Sequence, residues 1–228
     1  GRGRWVKGPA GMAATCSVAQ GTGKGSAGTS IFAMVVLEKE LSKVYPEIDM
    51  VTTPTGKPVA MVHCNNCTSD LDAWIRMFSD LLKSFETNFT KPELYDAIYF
   101  SALKGDPDCG GLVSYNYFSG EPITGLEEGR PMVIRRPDSS FTLPNFSRNL
   151  IYSTMATLKL GMDILTENEN VRLDQLMGHG GLFKTEGVGQ KLMAVALYVP
   201  GTGMGSAGEG GALGIALLVR YMLQKSGG

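Results

Sequence analysis

Apolar positions along the chain follow two different periods, and each change of period marks an element. Ile31-Phe32-Ala33-Met34-Val35-Val36-Leu37 is an unbroken run rich in β-formers, which predicts a buried strand. Val59-Ala60-Met61-Val62-His63 predicts another, and Pro54-Thr55-Gly56-Lys57-Pro58 predicts a hairpin between it and Val51-Thr52-Thr53. From Ser69 the spacing turns helical: Leu71, Trp74, Ile75, Phe78, Leu81, Leu82 and Phe85 share a face, with Ser69 as the expected cap and Asp72 three residues on. A second helix is predicted from about Pro92, with Leu94, Ile98 and Leu103 inward and Gly105-Asp106-Pro107-Asp108 as its stop. Strand-like stretches follow at 112–117 and 132–135. A long amphipathic helix over 149–165 then carries Leu150, Met155, Leu158, Met162 and Leu165. The remainder reads as a short strand ending at Met177, a glycine-rich turn, a helix over 188–197, a second glycine-rich turn and a last helix over 211–223. Strands and helices in this order predict an α/β fold.

Composition narrows the class. A chain of 228 residues with 43% hydrophobic and 19% charged residues is long enough for one sizeable core and too apolar for wholesale disorder. No apolar run approaches the ~20 residues of a membrane span, and the opening residues have no apolar signal core, so the expectation is a cytoplasmic protein without a membrane partner. A net charge of −1 gives no nucleic-acid surface. Charge is nevertheless uneven: no Asp or Glu precedes Glu38, while Arg2, Arg4 and Lys7 stand among glycines. Residues 1–12 are therefore expected to be a flexible or atypical segment, and residues 13–228 the domain.

Candidate chemistry is sparse. Cys16, Cys64, Cys67 and Cys109 are too few for a disulfide framework and read as reduced thiols. Cys64-Asn65-Asn66-Cys67 has the spacing of half a zinc site. A closed site needs a second ligand pair, and the chain's histidines are His63 and His179, so no metal site is expected. Gly21-Thr22-Gly23-Lys24-Gly25-Ser26 resembles a Walker loop without its spacing, and Gly178-His179-Gly180-Gly181 lacks its Lys-Ser/Thr ending. Each fits a tight turn as well as a ligand loop.

Several short motifs occur in an order that changes this picture. Ser26-Ala27-Gly28-Thr29-Ser30-Ile31-Phe32, Asp108-Cys109-Gly110-Gly111-Leu112, Tyr115-Asn116-Tyr117-Phe118-Ser119-Gly120-Glu121, Gly178-His179-Gly180-Gly181-Leu182-Phe183-Lys184-Thr185 and Ala207-Gly208-Glu209-Gly210-Gly211-Ala212 follow one another in that sequence. From about Ala13 to about Gln224 the chain resembles the C-terminal lobe of FGGY carbohydrate kinases, near the xylulokinase branch.

The resemblance implies a ribonuclease H-like, actin-like ATPase lobe with a mixed sheet flanked by helices. It implies ATP as the phosphoryl donor, with Mg2+ carried by the nucleotide. It also implies a pentulose-like sugar that binds only when an N-terminal kinase lobe closes the cleft. Gly28, Thr29 and Ser30 match the family's Gly-Thr-Ser turn toward the terminal phosphates. Gly180 and Gly181 match the turn against adenosine, with Lys184 and Thr185 at its edge; a solvated lysine is the alternative for Lys184. Glu209 and Glu121 read as loop-fixing carboxylates, and His179 as a group held by ordinary hydrogen bonds or near a phosphate. The chain departs from the family where an Asp accepts the sugar hydroxyl's proton, for it reads Gly8-Pro9-Ala10-Gly11 there. It also has no Asp-x-Gly-Thr segment of the kind that opens the N-terminal lobe. Two functions are therefore open: a kinase lobe that is inactive without its N-terminal partner, and a non-catalytic nucleotide-binding or structural remnant. Homo-oligomerisation is open too.

Overall fold

The computed structural model describes residues 20–53, 55–185, 187–198 and 201–203. The predicted helix over 211–223, the turn carrying Glu209, the Gly8–Gly11 segment and Cys16 lie outside them. In chain order the described elements are β1 (Thr22–Ala27), β2 (Ile31–Val36), β3 (Ile48–Thr52), β4 (Pro58–Cys64), α1 (Ser69–Ser84), α2 (Lys91–Ala102), β5 (Val113–Tyr115), β6 (Met132–Ile134), α3 (Leu143–Asp163), β7 (Gln175–Gly180), α4 (Val188–Leu197) and β8 (Gly201–Gly203). Six strands form one sheet in the order β3-β4-β2-β1-β7-β8, and β5 and β6 form a separate antiparallel pair. The sheet is mixed. Neighbours from β3 to β1 are antiparallel, whereas β1, β7 and β8 run parallel.

Period-2 alternation sorts the two faces of the sheet. Ala27, Ile31, Ala33, Val35, Ala60 and Val62 enter one large core with Leu71 and Ile75 of α1, Ile98 of α2, Leu150 to Met162 of α3, and Leu192 of α4. Met34, Val36 and Val59 make a second cluster on the other face. α3 lies so close to the sheet that a Cβ at Gly161 would sit 2.3 Å from Val62 Cγ1, which is why this interior helix position carries glycine.

The hairpin and the strand from Ile31 form as the sequence predicts, as does the helix from Val188, and four other boundaries shift. Most of the run from Gly21 to Ser26 lies in a central strand, β1 from Thr22, rather than in a turn: Gly23 and Gly25 face the helices, and a Cβ at Gly23 would come within 2.9 Å of Leu176. Lys24 points to the opposite face and is fully buried, with its Nζ 5.2 Å from the centre of the Phe32 ring, a strand lysine and not a phosphate-loop one. Burial lowers its pKa to about 8. β7 runs past Met177 to Gly180, and Gly201–Gly203, expected in a turn, pairs with it. α3 begins at Leu143 instead of Asn149, because Thr142 accepts a hydrogen bond from Asn145 N and Pro144 suits the first turn.

The helix predicted from Ser69 is capped by Thr68, whose side chain bonds elsewhere, and Leu81 and Phe85 at its far end are exposed. Leu103 lies beyond the end of α2 and is only partly covered. The start of α2 carries a full capping box, with Thr90 and Glu93 bonded reciprocally.

One carboxylate ties the segment after β2 to the stretch after α3. Glu169 accepts from Ser42 Oγ (2.5 Å), Tyr45 Oη (2.6 Å) and Ser42 N (2.9 Å). The Ser42 hydroxyl, then Tyr45, hold its carboxyl down at about 2, against 4.5 for a free one. A depressed carboxylate stabilises the fold above its unfolded pKa and loses that contribution as pH falls through the folded value. Glu169→Gln is thus expected to lower stability at pH 7, with the difference from the parent vanishing between about pH 4.5 and about 2. Urea denaturation across that range measures it; a difference that persists unchanged at pH 2 contradicts the assignment.

Candidate functional site

β1 and β7 are adjacent parallel strands with Ala27 opposite Gly180, so their carboxyl ends lie side by side. Outside such ends α/β sheets commonly receive ligands, because the turns that leave them expose backbone donors. The Gly28-Thr29-Ser30 turn leaves β1 here, and Gly181 leaves β7. Gly28 and Thr29 are exposed and Ser30 is half-buried. Gly28 N donates within the turn to Ser30 O (2.9 Å).

The chain preceding α1 anchors that turn from the side. Cys67 N donates to Thr29 O (3.0 Å), while Thr68 N and Thr68 Oγ1 both donate to Gly28 O (3.1 and 2.9 Å). Thr68 also lines a cavity of 520 Å3 with Asp72, Lys91, Pro92, Tyr95, Asp96, Tyr99, Gly181, Lys184 and Thr185. Thr68 therefore joins the two sets of residues that the sequence singles out, Gly28 to Ser30 on one side and Gly181, Lys184 and Thr185 on the other. Gly180 is not in the cavity wall. Its φ of +105° and a Cβ position 2.2 Å from Ala27 O make it a structural glycine, tightly packed on β1.

Side chains in the cavity wall are fixed by one another. Thr185 Oγ1 donates to Asp96 Oδ1 (2.7 Å), and Tyr95 Oη donates to Asp72 Oδ1 (2.5 Å). Burial, reinforced by Asp72, pushes the Tyr95 phenol up, and burial does the same to Tyr99. The Tyr95 and Tyr99 rings stack with centroids 6.5 Å apart, and Lys91 Nζ lies 5.6 Å from the Tyr95 centroid. Lys184 is exposed and Thr185 buried. The wall thus offers aromatic and hydroxyl surface, two carboxylates and two ammonium groups. That mixture suits a flat, polar, partly anionic ligand.

Sequence reasoning missed the contributions from α1 and α2. Thr68 and Asp72 are four residues apart, as are Lys91, Tyr95 and Tyr99 in succession, so each set lies on one helix face. This polar spacing was the available signal.

Other singled-out residues have different tasks. Glu121 is fully buried and accepts from Asn65 N (3.2 Å), Asn66 N (3.1 Å) and Asn66 Nδ2 (3.0 Å). Asn66 Oδ1 accepts in return from Phe118 N and Ser119 N, so the pair clamps residues 65–66 to residues 118–121, directly before Cys67 and Thr68. His179 is buried with Nε2 unpartnered. Burial, and secondarily Lys24, lower its pKa to about 4, so it is neutral at pH 7 and supplies no charge to an anion. Cys64, Cys67 and Cys109 are free and buried, and burial pushes the Cys67 thiol up to about 12 and Cys109 to about 11. Among the described residues no group of three or more His, Cys, Asp or Glu is placed to hold a metal ion. Nor is any described helix long and apolar enough to cross a membrane.

No curated protein sequence matches the chain. Solved structures do match its fold. The ligand-bound xylulose kinase from Lactobacillus acidophilus superposes with a TM-score of 0.73 at 18% identity, over 95% of this chain and 41% of its own. Plasmodium falciparum glycerol kinase with ADP gives 0.68 at 16% identity, over 92% and 40%. The xylulose kinase from Bifidobacterium adolescentis gives 0.66 at 17% identity, over 92% and 39%. The chain thus spans well under half the length of each, and it shares with them the α/β, actin-like ATPase architecture that the motifs imply. Residues 23–223 match the C-terminal domain of the FGGY family of carbohydrate kinases, and the chain belongs to that family.

Proposed function

We propose that this chain is the nucleotide-binding lobe of an ATP-dependent carbohydrate kinase, acting on a pentulose-like sugar together with an N-terminal lobe, in the cytoplasm. The observation that carries this reading is the junction at Thr68, which links the Gly28–Ser30 turn to the cavity of Gly181, Lys184 and Thr185. An adenine nucleotide spanning the junction has its base against Tyr95 and Tyr99 and its phosphates toward Thr29 and Ser30. Hydroxyl and N–H groups suit the phosphate end because phosphate offers only acceptors. Gly181 suits the other end, since a Cβ there would meet nothing within 4 Å and the backbone is open to close approach.

ATP supplies the γ-phosphoryl group, and Mg2+ bound to its phosphates offsets their charge. The residues of this chain bind and orient; phosphoryl transfer depends mainly on positioning and charge stabilisation, much of it expected from the N-terminal lobe. The second reading, a non-catalytic nucleotide-binding or structural remnant, is favoured by one feature, Gly8-Pro9-Ala10-Gly11 where the resemblance places the proton-accepting Asp. The kinase-lobe reading requires nucleotide binding, and a purely structural remnant does not. Isothermal titration calorimetry of the 228-residue chain with Mg-ADP is expected to give weak, saturable binding with a Kd on the order of 0.1–1 mM, corresponding to about 4–5.5 kcal/mol. No heat of binding at 5 mM nucleotide overturns the kinase-lobe reading and leaves the structural remnant.

A further inference from the structure

The apolar stripe of α1 is longer than the core that receives it. Leu71 and Ile75 are buried, but the apolar surface runs on through Met77, Leu81 and Phe85, which are 49%, 56% and 72% exposed. These three stand four residues apart and form one row along the helix and just past its end. Apolar residues of two other segments flank the row. Trp74 and Met77 wall a groove of 270 Å3 with Met132 of β6, and on the other side a groove of 280 Å3 with Phe141, Leu143 and Phe146. The floor of the second groove is tightly packed: the Trp74 and Phe146 rings meet edge to face with centroids 4.8 Å apart, and Phe141 lies 6.0 Å from Phe146. Met132, Phe141 and Leu143 are again about half exposed.

A large apolar side chain has ~150–250 Å2 to bury, so these six exposed groups leave roughly 500–600 Å2 of apolar surface, the upper end for the largest patch on a monomer. Such a patch marks a contact. It is turned away from the N-terminal lobe proposed at the nucleotide cleft: Trp74 and Met77 follow Asp72 by two and five residues, and at ~100° per residue they point to the far side of α1 from the nucleotide cavity. The rim carries both signs of charge. Asp80 and Lys83 pair beside the row at 3.4 Å, Arg136 pairs with Asp138 at 3.1 Å, and the Arg135 guanidinium lies 4.8 Å from the centre of the Phe141 ring. A membrane or a nucleic acid selects a basic rim, whereas a rim of both signs can face its own copy turned by 180°. We propose that this face joins two copies of the chain about a twofold axis centred on Leu81, with the row of Met77, Leu81 and Phe85 crossing the same row of the second copy. The outer residues of each row then fill the other copy's grooves beside Met77, which a single copy leaves open. A standard interface takes about 800 Å2 from each partner, and the patch with its polar rim is of that size.

Sedimentation velocity of the 228-residue chain from about 2 to about 200 μM tests this, and a reversible shift from monomer to dimer with a Kd on the order of 10 μM is expected. Leu81→Glu sets two carboxylates face to face at the axis. It should weaken the dimer at least about tenfold, the scale of one hot-spot residue, with an unchanged near-UV circular dichroism spectrum. Val195→Glu, at an equally exposed position of α4 outside the patch, should leave the dimer as it is. If Leu81→Glu does not fold, Phe85→Glu is read in its place. A chain that stays monomeric throughout the range overturns the proposal, as does a dimer that survives folded Leu81→Glu or that Val195→Glu weakens equally. If a monomeric chain instead binds an added N-terminal lobe of the family, and Leu81→Glu abolishes that binding, the lobe is the occupant and the twofold contact is overturned.

Discussion

Gly181→Val is expected to abolish measurable nucleotide binding while leaving the fold intact, and Gly180→Val, one residue earlier, is expected to unfold the domain. The two glycines are adjacent but are glycine for different reasons. At Gly181 a side chain meets nothing within 4 Å of its Cβ, and the residue lines the cavity, so an isopropyl group projects into ligand space. At Gly180 the backbone sits at φ +105° and a Cβ would fall 2.2 Å from Ala27 O, a main-chain atom of the central strand that cannot move alone. Positive φ costs roughly 1–2 kcal/mol for a residue with a Cβ, and the clash raises the total to about 4 kcal/mol or more, a large share of a typical stability of 5–15 kcal/mol. Urea denaturation and calorimetry of both variants separate the effects. Wild-type nucleotide affinity in folded Gly181→Val would remove that residue from the site.

The second large effect concerns catalysis. The 228-residue chain is expected to release ADP at background rate with xylulose, ribulose or related sugars. It spans 39–42% of the kinases whose fold it shares, and in the proposed function the sugar binds only together with an N-terminal lobe. Supplying an N-terminal lobe from the family should raise the rate only in part, because Pro9 stands where the resemblance places the proton-accepting Asp. General-base assistance is typically worth ~10²–10⁴-fold, and that is the deficit expected to remain until a carboxylate is restored within Gly8–Gly11. A coupled assay measures it. Robust sugar-dependent turnover by the single chain would mean that another carboxylate reaches the sugar hydroxyl.

Where packing follows local period, the sequence is readable. The strand from Ile31, the hairpin around Gly56 and the helix at Val188 carry their pattern in consecutive side chains, and the structure places them there. Glycine-rich stretches are where it fails. Gly23 and Gly25 have no side chain to show a period, yet they lie in the centre of the sheet because Leu176 needs the space beside them. Gly178 reads as turn for the same reason, although it pairs with Gly25 inside the sheet. In the candidate site, the two turns were legible as motifs, but the wall between them was not. Thr68 caps α1, Asp72 lies in it, and Tyr95 and Asp96 lie in α2, all far in sequence from Gly181, which they meet only in the folded chain.

The most direct measurement is a crystal structure of the chain grown with Mg-ADP. The account predicts the adenosine in the cavity of Tyr95, Tyr99, Gly181, Lys184 and Thr185, with the phosphates running past Thr68 to the backbone and hydroxyls of Thr29 and Ser30. Nucleotide bound elsewhere on the lobe, or that cavity empty at a nucleotide concentration that saturates the calorimetric titration, would contradict it.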